Sequence, residues 1–545
     1  MPDLHPGLLH DLLGPDGRLI VVANRGPITF DLDPDSPAGL TAARGAGGLV
    51  TALGELGRHA PLTWVASAIT EGDHVAAGVL SGPDPRGRRT ERARLRDRVT
   101  QLVDEVLPGQ DLQIRLVAHD PSVFEPFYST ISNPFLWFLQ HRMYAPAYGP
   151  NVDGALLAAW RGGYRPANEA LADATIEAMR GVKRPVVMLQ DYHLYLAAPR
   201  IRAARPDATL LHFNHIPWPA SGEWQMLPAA MRRSICEGLL ACDVVGLQTD
   251  RYATNFLETV AMSVRDARVD PDSRTVRWRD RRIPVRTYPI SVDADGLLRF
   301  AKSEAVEERV SRLRERLARA GDPTLIVRAD RIEPSKNALR GFLAYEELLD
   351  RRPELRATVR FLAVMAPTRT SIQEYADYAA AVREVVARIN GLADPDEAPV
   401  WVSDGSDYAM AIAALRLADV VLVNPLVDGM NLVAKEAVLV GQRDPVLVLS
   451  ETAGAAEQMA SDSLVVAPAD VAGTADQLDK ALRMPAAERR EHLRRLRLSV
   501  RHEDVRWWLD RQLRDLAAVR RGAQAPSRRL RDTLRRVEQA TIDGD

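Results

Sequence analysis

The chain has 545 residues, 46% hydrophobic and 26% charged, with a formal net charge of −2. That length suits two large domains, and the near-neutral balance excludes a chain-wide pull toward nucleic acid or an anionic membrane. Cys236 and Cys242 are too few for a disulfide scaffold or a zinc cluster. No run of about 20 apolar residues is present to cross a bilayer. The opening residues carry Asp3, Asp11 and Asp16 and lack the basic region of a signal peptide, so a reduced cytoplasmic compartment is expected. Of 71 basic residues only five are lysine, which makes Lys336 and Lys435, both inside motifs, worth weighing.

Short runs rich in Val, Ile and Leu recur along the chain, each followed by a helical pattern. The first series reads as buried strands near 19–24, 62–67, 113–118, 185–190, 208–213 and 243–247. The first run ends on Asn24-Arg25-Gly26-Pro27. Some twenty residues later Arg44-Gly-Ala-Gly-Gly-Leu49 precedes a helical pattern; its glycines could bring backbone close to a phosphate, but alone it reads better as a plain glycine loop. Asp31, Asp33 and Asp35 fall in a polar loop with Pro34 and Pro37, which suits solvent better than a metal. Two later runs end on Gln190-Asp191-Tyr192-His193 and His212-Phe-Asn-His215-Ile-Pro. His212 and His215 sit at a strand end without an acidic partner motif, so metal ligation is not expected.

Tyr288-Pro-Ile-Ser-Val-Asp293 reads as a crossing to a second series, near 324–329, 358–365, 398–403, 419–424, 445–450 and 463–467. Its first run leads into Arg331 and Lys336, two cations five residues apart at a strand's carboxyl end. They suit a diphosphate, although Asp330 and Glu333 also allow a salt-bridge patch. The run ending at Asn424 leads to Asp428-Gly-Met-Asn-Leu-Val-Ala-Lys435-Glu436, read as a turn with a helix starting near Met430, whose free N–H groups can cradle phosphate. Asp428 can accept sugar hydroxyl hydrogen bonds, or serve as an ordinary N-cap. Residues 486–519 read as one helix carrying Trp507 and Trp508, and 521–545 as a polar tail. Continuous apolar strands alternating with helices predict an α/β protein of two doubly wound, Rossmann-like domains facing a cleft. The expected divisions are 1–290, 291–490, a C-terminal helix over 491–520 packing back on the first domain, and the tail.

Asn24-Arg25-Gly26-Pro27, Gly47-Gly48-Leu49, Tyr128 with Trp137, Asp191-Tyr-His, His215-Ile-Pro, Tyr288-Pro-Ile, Arg331 with Lys336 and DGMNLVAKE together resemble the trehalose-6-phosphate synthase family, in the family's order over roughly residues 18–515. The QDYHL, LWFLQH and WVASA variants resemble an actinobacterial branch. The resemblance implies the GT-B architecture and a retaining transfer of glucose from UDP- or GDP-glucose to glucose 6-phosphate. It implies roles residue by residue. Arg331 and Lys336 resemble the donor diphosphate clamp, with Gly48 and the Leu432 and Val433 amides as further phosphate contacts. Asp428 resembles the holder of donor hydroxyls, Glu436 that of the ribose, and Met430 and Asn431 lie in the same donor-binding run. His215 resembles the residue beside the donor sugar and leaving oxygen, and Asp191 the acceptor-sugar contact. Arg25, Tyr128, Trp137 and Arg369 resemble the pocket for the acceptor's 6-phosphate.

No carboxylate in these motifs looks placed as a nucleophile, so the resemblance implies same-face attack, with the protein supplying position and charge. No metal and no cofactor are expected, because Arg331, Lys336 and helix-terminus amides offset the diphosphate. The expected partners are small molecules alone, with homo-oligomerisation left open. Three departures touch the acceptor side: Gln190 where many members have His, Ala66-Ser67-Ala68 in place of Gly-Trp-Ser-Gly, and a shortened Ala366-Pro-Thr-Arg369 segment. They keep open another acceptor, as in a glucosylglycerol-phosphate synthase or a validamycin-type pseudoglycosyltransferase. A non-catalytic sugar-phosphate sensor would have lost the diphosphate clamp, which is intact here.

Overall fold

A computed structural model describes residues 6–14, 17–36, 38–45, 53, 55–80, 91–369 and 372–524. Strand β1 (Leu19–Val22) is followed by a hairpin of β2 (Ile28–Leu32) and β3 (Leu40–Arg44). Next come β4 (Leu62–Ser67), β5 (Leu112–Val117), β6 (Val186–Gln190), β7 (Thr209–Phe213) and β8 (Val244–Leu247). A three-stranded meander follows: β9 (Arg268–Asp270), β10 (Thr275–Trp278) and β11 (Arg281–Thr287). The second series is β12 (Thr324–Arg331), β13 (Val359–Ala366), β14 (Val400–Asp404), β15 (Val420–Val423), β16 (Val446–Ser450) and β17 (Leu464–Val466).

These strands make two large sheets. The first runs β5-β4-β1-β6-β7-β8-β11-β10-β9, parallel from β5 through β11 with β10 and β9 antiparallel at its edge. The second runs β14-β13-β12-β15-β16-β17 and is wholly parallel. In both, the order doubles back at the first strand, so the crossovers leave a crevice at β1/β6 and at β12/β15. In such sheets ligands bind beyond the carboxyl ends of the strands at that switch point. The chain therefore folds as an α/β protein with two doubly wound parallel sheets, as its alternating apolar runs predict.

Two antiparallel features escape the apolar pattern. The β2–β3 hairpin exposes Asp31 and Leu32, and the β9–β11 meander carries arginines, so neither presents a continuous apolar run. Asp31 stands in β2, and Asp33 Oδ1 accepts the Asp35 N–H at 3.1 Å in the exposed turn beyond it, a local turn bond with no metal partner needed.

The expected single helix over 486–519 is two helices, Ala486–His502 and Val505–Gln524. The break lies at Asp504, whose Oδ1 accepts the N–H groups of Arg506 and Trp507 at 2.9 and 3.1 Å and starts the second helix. Residues 521–524 belong to that helix, and 525–545 lie outside the described residues. The second helix returns to the first sheet. Trp508 is fully buried, donates its indole N–H to the Tyr288 carbonyl at 3.2 Å and meets the Phe213 ring edge-on at 5.3 Å. The Tyr288 hydroxyl reaches Asp515 at 2.7 Å. Trp64, Phe213, Tyr288, Trp508, Trp401 and Leu449 belong to one apolar cluster that joins the facing layers of the two sheets. Truncation of a large buried aromatic costs about 3–5 kcal/mol. Trp508→Ala is therefore expected to lower the unfolding free energy by that order in urea titration; a loss below about 1 kcal/mol would show that this helix is not part of the core.

Candidate active site

The candidate residues gather where the two switch points face each other. From the first sheet, Arg25 follows β1, Asp191 follows β6 and His215 follows β7. From the second, Arg331 ends β12, Arg369 follows β13, and Asp428 follows β15. Four candidate-site or adjoining residues, Asp191, Asn337, Arg369 and Asn431, hold positive φ (71°, 58°, 48° and 75°), a strained setting that surrounding structure must enforce. Gly48 lies outside the described residues.

The second sheet's side of the site rests on the turn after β12. Arg328, fully buried, pairs with Asp330 at 2.9 Å and holds the Lys336 carbonyl at 3.0 Å, so it is scaffold for the turn rather than part of a clamp. Asn337 ties that turn to the β15 loop through the Asn424 carbonyl at 2.9 Å. Lys336 is thereby set against Asp428 in a buried ion pair. Burial alone would raise the Asp428 carboxyl, but Lys336 outweighs it and holds the group below its usual value. Arg331 remains 44% exposed, 3.4 Å from the fully buried Glu333. Glu333 also accepts the Ser335 hydroxyl at 2.6 Å. Burial pushes its carboxyl up, yet the fields of Arg331, Lys336 and Arg369 together hold it down.

Asp428 does not cap the helix, and the helix does not begin at Met430. The cap is Asn431, whose Oδ1 accepts the Ala434 N–H at 3.3 Å, and the helix runs Leu432–Val440. The extra residues let Gly429 pass against the His215 carbonyl and Gly454 against the Gly429 carbonyl, where any Cβ would collide with backbone. Tyr252, from the first sheet's side, donates its hydroxyl to the Asp428 carbonyl at 2.8 Å. The Asp428 loop and the His215 loop are thus in direct backbone contact. Met430 is buried here, and the Ala455 N–H donates to its carbonyl at 2.8 Å. The Leu432 and Val433 amides stand in the first helical turn. Glu436, one turn on, accepts the Tyr408 hydroxyl at 2.8 Å; burial raises its carboxyl and that bond offsets part of the rise.

Lys435, on the same helix, points away from the clamp. It is fully buried and donates to the Ile290 carbonyl at 3.0 Å, pinning the helix to the crossing between the sheets. Burial pushes its ammonium down to about 7, against about 10.4 in an unfolded chain. Between those values the unfolded chain keeps a proton the folded one has lost, so this group's contribution to stability rises with pH from about 7 to about 10. Urea titrations should show the wild type gaining on Lys435→Met across that window; a constant difference would contradict a buried, neutralised lysine.

On the opposite side Arg25 Nη2 donates to the Tyr128 hydroxyl at 3.1 Å. Burial alone would raise that phenol, but Arg25, with Arg369 behind it, holds it below its usual value. The Arg369 guanidinium stands 4.5 Å over the Trp137 ring and donates to the Tyr375 hydroxyl at 2.7 Å. Trp137 stacks in turn on His141, centroids 3.9 Å apart. Asp191 Oδ1 accepts the His215 N–H at 3.1 Å, and burial pushes its carboxyl up to about 7. His215 is kept neutral, burial lowering it to about 3. Several buried polar atoms on this side find no partner among the described residues: Asn24 Oδ1, His119 Nδ1, Trp137 Nε1, Gln190 Nε2 and His193 Nε2. Buried polar atoms are normally paired, so a cluster of unpaired ones is the lining a polyhydroxylated ligand would satisfy.

Sequence reasoning missed Glu333 as a shared counter-ion, Tyr375 on Arg369 and Tyr408 on Glu436. Glu333 carried a visible signal, a carboxylate between two cations; the tyrosines arrive from other elements and carried none. Among the described residues no group of three or more His, Cys, Asp or Glu forms a metal-binding cluster.

A profile of glycosyltransferase family 20 matches residues 17–518. The chain is similar to a validamine 7-phosphate valienyltransferase of Streptomyces hygroscopicus subsp. jinggangensis, 31% identical over 508 residues, 92% of this chain and 94% of that one. It is similar to a trehalose-6-phosphate synthase of Mycobacterium sp. strain KMS, 31% identical over 528 residues, 93% of this chain and 97% of that one. Among solved structures it resembles a UDP-forming α,α-trehalose-phosphate synthase from Burkholderia xenovorans in complex with glucose 6-phosphate, with a TM-score of 0.72, 29% identity, and 92% of this chain and 100% of that one covered. Two doubly wound sheets whose switch points meet across one cleft, and a profile that spans nearly the whole chain, lead to one conclusion: the chain belongs to glycosyltransferase family 20 and has the GT-B architecture.

Proposed function

We propose that this glycosyltransferase moves glucose from a nucleotide-glucose to glucose 6-phosphate, with retention, forming α,α-trehalose 6-phosphate. One observation carries the reading: two separate sets of cations, Arg331 with Lys336 and Arg25 with Arg369, converge on one cleft, and Glu333 lies in the field of members of both. One set suits a diphosphate and the other a sugar phosphate, and the neutral polar edge between them suits sugar hydroxyls. In this reading Arg331, Lys336 and the Leu432 and Val433 amides meet the diphosphate, Asp428 the donor hydroxyls and Glu436 the ribose. Lys336 exchanges its Asp428 partner for the leaving phosphate as charge builds there. His215 sits beside the donor sugar and Asp191 takes an acceptor hydroxyl. The leaving oxygen receives the acceptor's proton on the same face. The solved relative bound to glucose 6-phosphate supports the acceptor and its UDP-forming description a nucleotide donor.

The likeness to a valienyltransferase favours a second reading, coupling to an aminocyclitol phosphate. A rate matrix separates the two: UDP-, GDP- and ADP-glucose against glucose 6-phosphate, glycerol 3-phosphate, free glucose and an aminocyclitol phosphate. The expected outcome is glucose 6-phosphate as preferred acceptor, with rates that survive exhaustive chelation, since protein cations meet the diphosphate. Preference for the aminocyclitol would overturn the acceptor. Loss with EDTA restored by magnesium would overturn the metal-free donor site.

A further inference from the structure

The backbone and the ring of His215 are both held, and one of the holding groups sets the chemistry of a ring nitrogen. Its N–H donates to Asp191 Oδ1, its carbonyl accepts the Gln248 side-chain amide at 3.3 Å, and its ring lies edge-on to Phe213, centroids 4.6 Å apart. The remaining contact is at the ring: Gln190 Oε1 stands 2.9 Å from His215 Nε2. The strand register brings them together, because Gln190 is the last residue of β6 and pairs with Phe213, two residues before His215. Gln190 is wholly buried, and among the described residues none bonds its side-chain nitrogen.

A neutral imidazole carries one N–H and one lone pair, and the partner of one nitrogen decides which is which. A carboxamide oxygen only accepts, so the nitrogen facing it must carry the proton. We propose that Gln190 is a positioning residue that fixes His215 as the neutral Nε2–H tautomer and leaves Nδ1 as the ring's one acceptor for a substrate hydroxyl. The proposal rests on the reading that places His215 beside the donor sugar. It makes His215 an acceptor of hydroxyl hydrogen bonds at the donor, not a proton donor to the leaving oxygen. An amide at 190 does not titrate, so the tautomer stays set across the working pH range.

The test uses the full-length protein labelled with ¹⁵N-histidine, with the His215 ring assigned by its loss in His215→Gln. Long-range ¹H–¹⁵N spectra should show a protonated Nε2 and an unprotonated Nδ1 from pH 6 to 8. The Nδ1–H form, or an exchange average, would overturn the proposal, since either means the amide is turned over or does not hold the ring. Gln190→Met keeps the volume and removes the acceptor. It should scramble the tautomer and lower kcat about 10- to 100-fold, the scale of one lost buried hydrogen bond. The donor KM should move by less than about threefold, as for an interaction felt mainly in the transition state. Gln190→Glu keeps an oxygen at the same place and should restore the Nε2–H form with part of kcat, even if the methionine variant folds poorly. An altered tautomer with unchanged kcat would overturn the positioning role. Wild-type kcat in His215→Ala would instead remove His215 from the donor site, and the spectra would still decide the pairing.

Discussion

Arg331→Ala is expected to lower kcat/KM about 10- to 150-fold, since a charge-assisted hydrogen bond contributes about 1.5–3 kcal/mol and each 1.4 kcal/mol is tenfold. If Arg331 and Lys336 meet the diphosphate as proposed, the negative charge that grows there as the sugar bond breaks makes their contacts stronger in the transition state, so kcat should fall as well as affinity. Lys336→Ala should lose at least as much activity, but the two variants should part on stability. Arg331 is 44% exposed, and its loss still leaves Glu333 in the fields of Lys336 and Arg369, so the free protein should lose the less stability of the two. Lys336 and Asp428 form a pair whose side chains are 14% and 13% exposed. Removing one partner of a buried pair costs about 3–5 kcal/mol, because the other is left charged and unpaired. Adding Asp428→Asn to Lys336→Ala should then recover stability without recovering activity. Steady-state kinetics, calorimetry with nucleoside diphosphate and urea titration read these three quantities. The double clamp variant should fall short of the summed losses, because both groups act on one diphosphate. Normal nucleotide binding and wild-type turnover in both single variants would remove the donor-site assignment.

Arg369→Ala is expected to raise the acceptor KM about 10- to 100-fold, again the scale of a lost charge-assisted contact, with donor affinity little changed. Arg369 is held ready by the Trp137 face and the Tyr375 hydroxyl. Burial would lower its guanidinium, but the surrounding tyrosines and Glu333 keep it fully charged. Arg369→Lys should recover only part of the loss, since an ammonium lacks the planar fork that stacks on an indole and meets phosphate at two points. Tyr375→Phe, which leaves the charge and removes one anchor, should fall between. Unchanged acceptor kinetics in Arg369→Ala would take this residue out of the acceptor pocket.

Much of this site was legible because its residues sit at strand ends that the apolar runs announce. Arg331, Asp191 and His215 each follow a buried parallel strand closely, and the strand order then carries them to one cleft. What stayed hidden depends on three-dimensional pairing. Lys336 reads in sequence as half of a clamp with Arg331, yet its partner in the structure is Asp428, 92 residues on. Gln190 reads as a departure from the family pattern, and only the β6–β7 register reveals the ring it holds. The sequence predicts a helix start near Met430, after an Asp428-Gly429 turn; it lies at Leu432, because the left-handed Asn431 is the cap and Gly429 lies against the His215 carbonyl. The hairpin at Ile28–Leu32 and Leu40–Arg44 was missed since its exposed faces carry no apolar run.

The proposed glucosyl transfer, which joins two anomeric carbons with retention, can be read by incubating the protein with a nucleotide-glucose labelled with ¹³C at the anomeric carbon and unlabelled glucose 6-phosphate, then analysing the product by NMR. The expected product is a non-reducing phosphorylated disaccharide in which the labelled carbon is α and coupled across oxygen to a second α-anomeric centre, with one nucleoside diphosphate released per linkage. A β-configured label, a product that keeps a reducing end, or release of nucleotide with free glucose alone would contradict it.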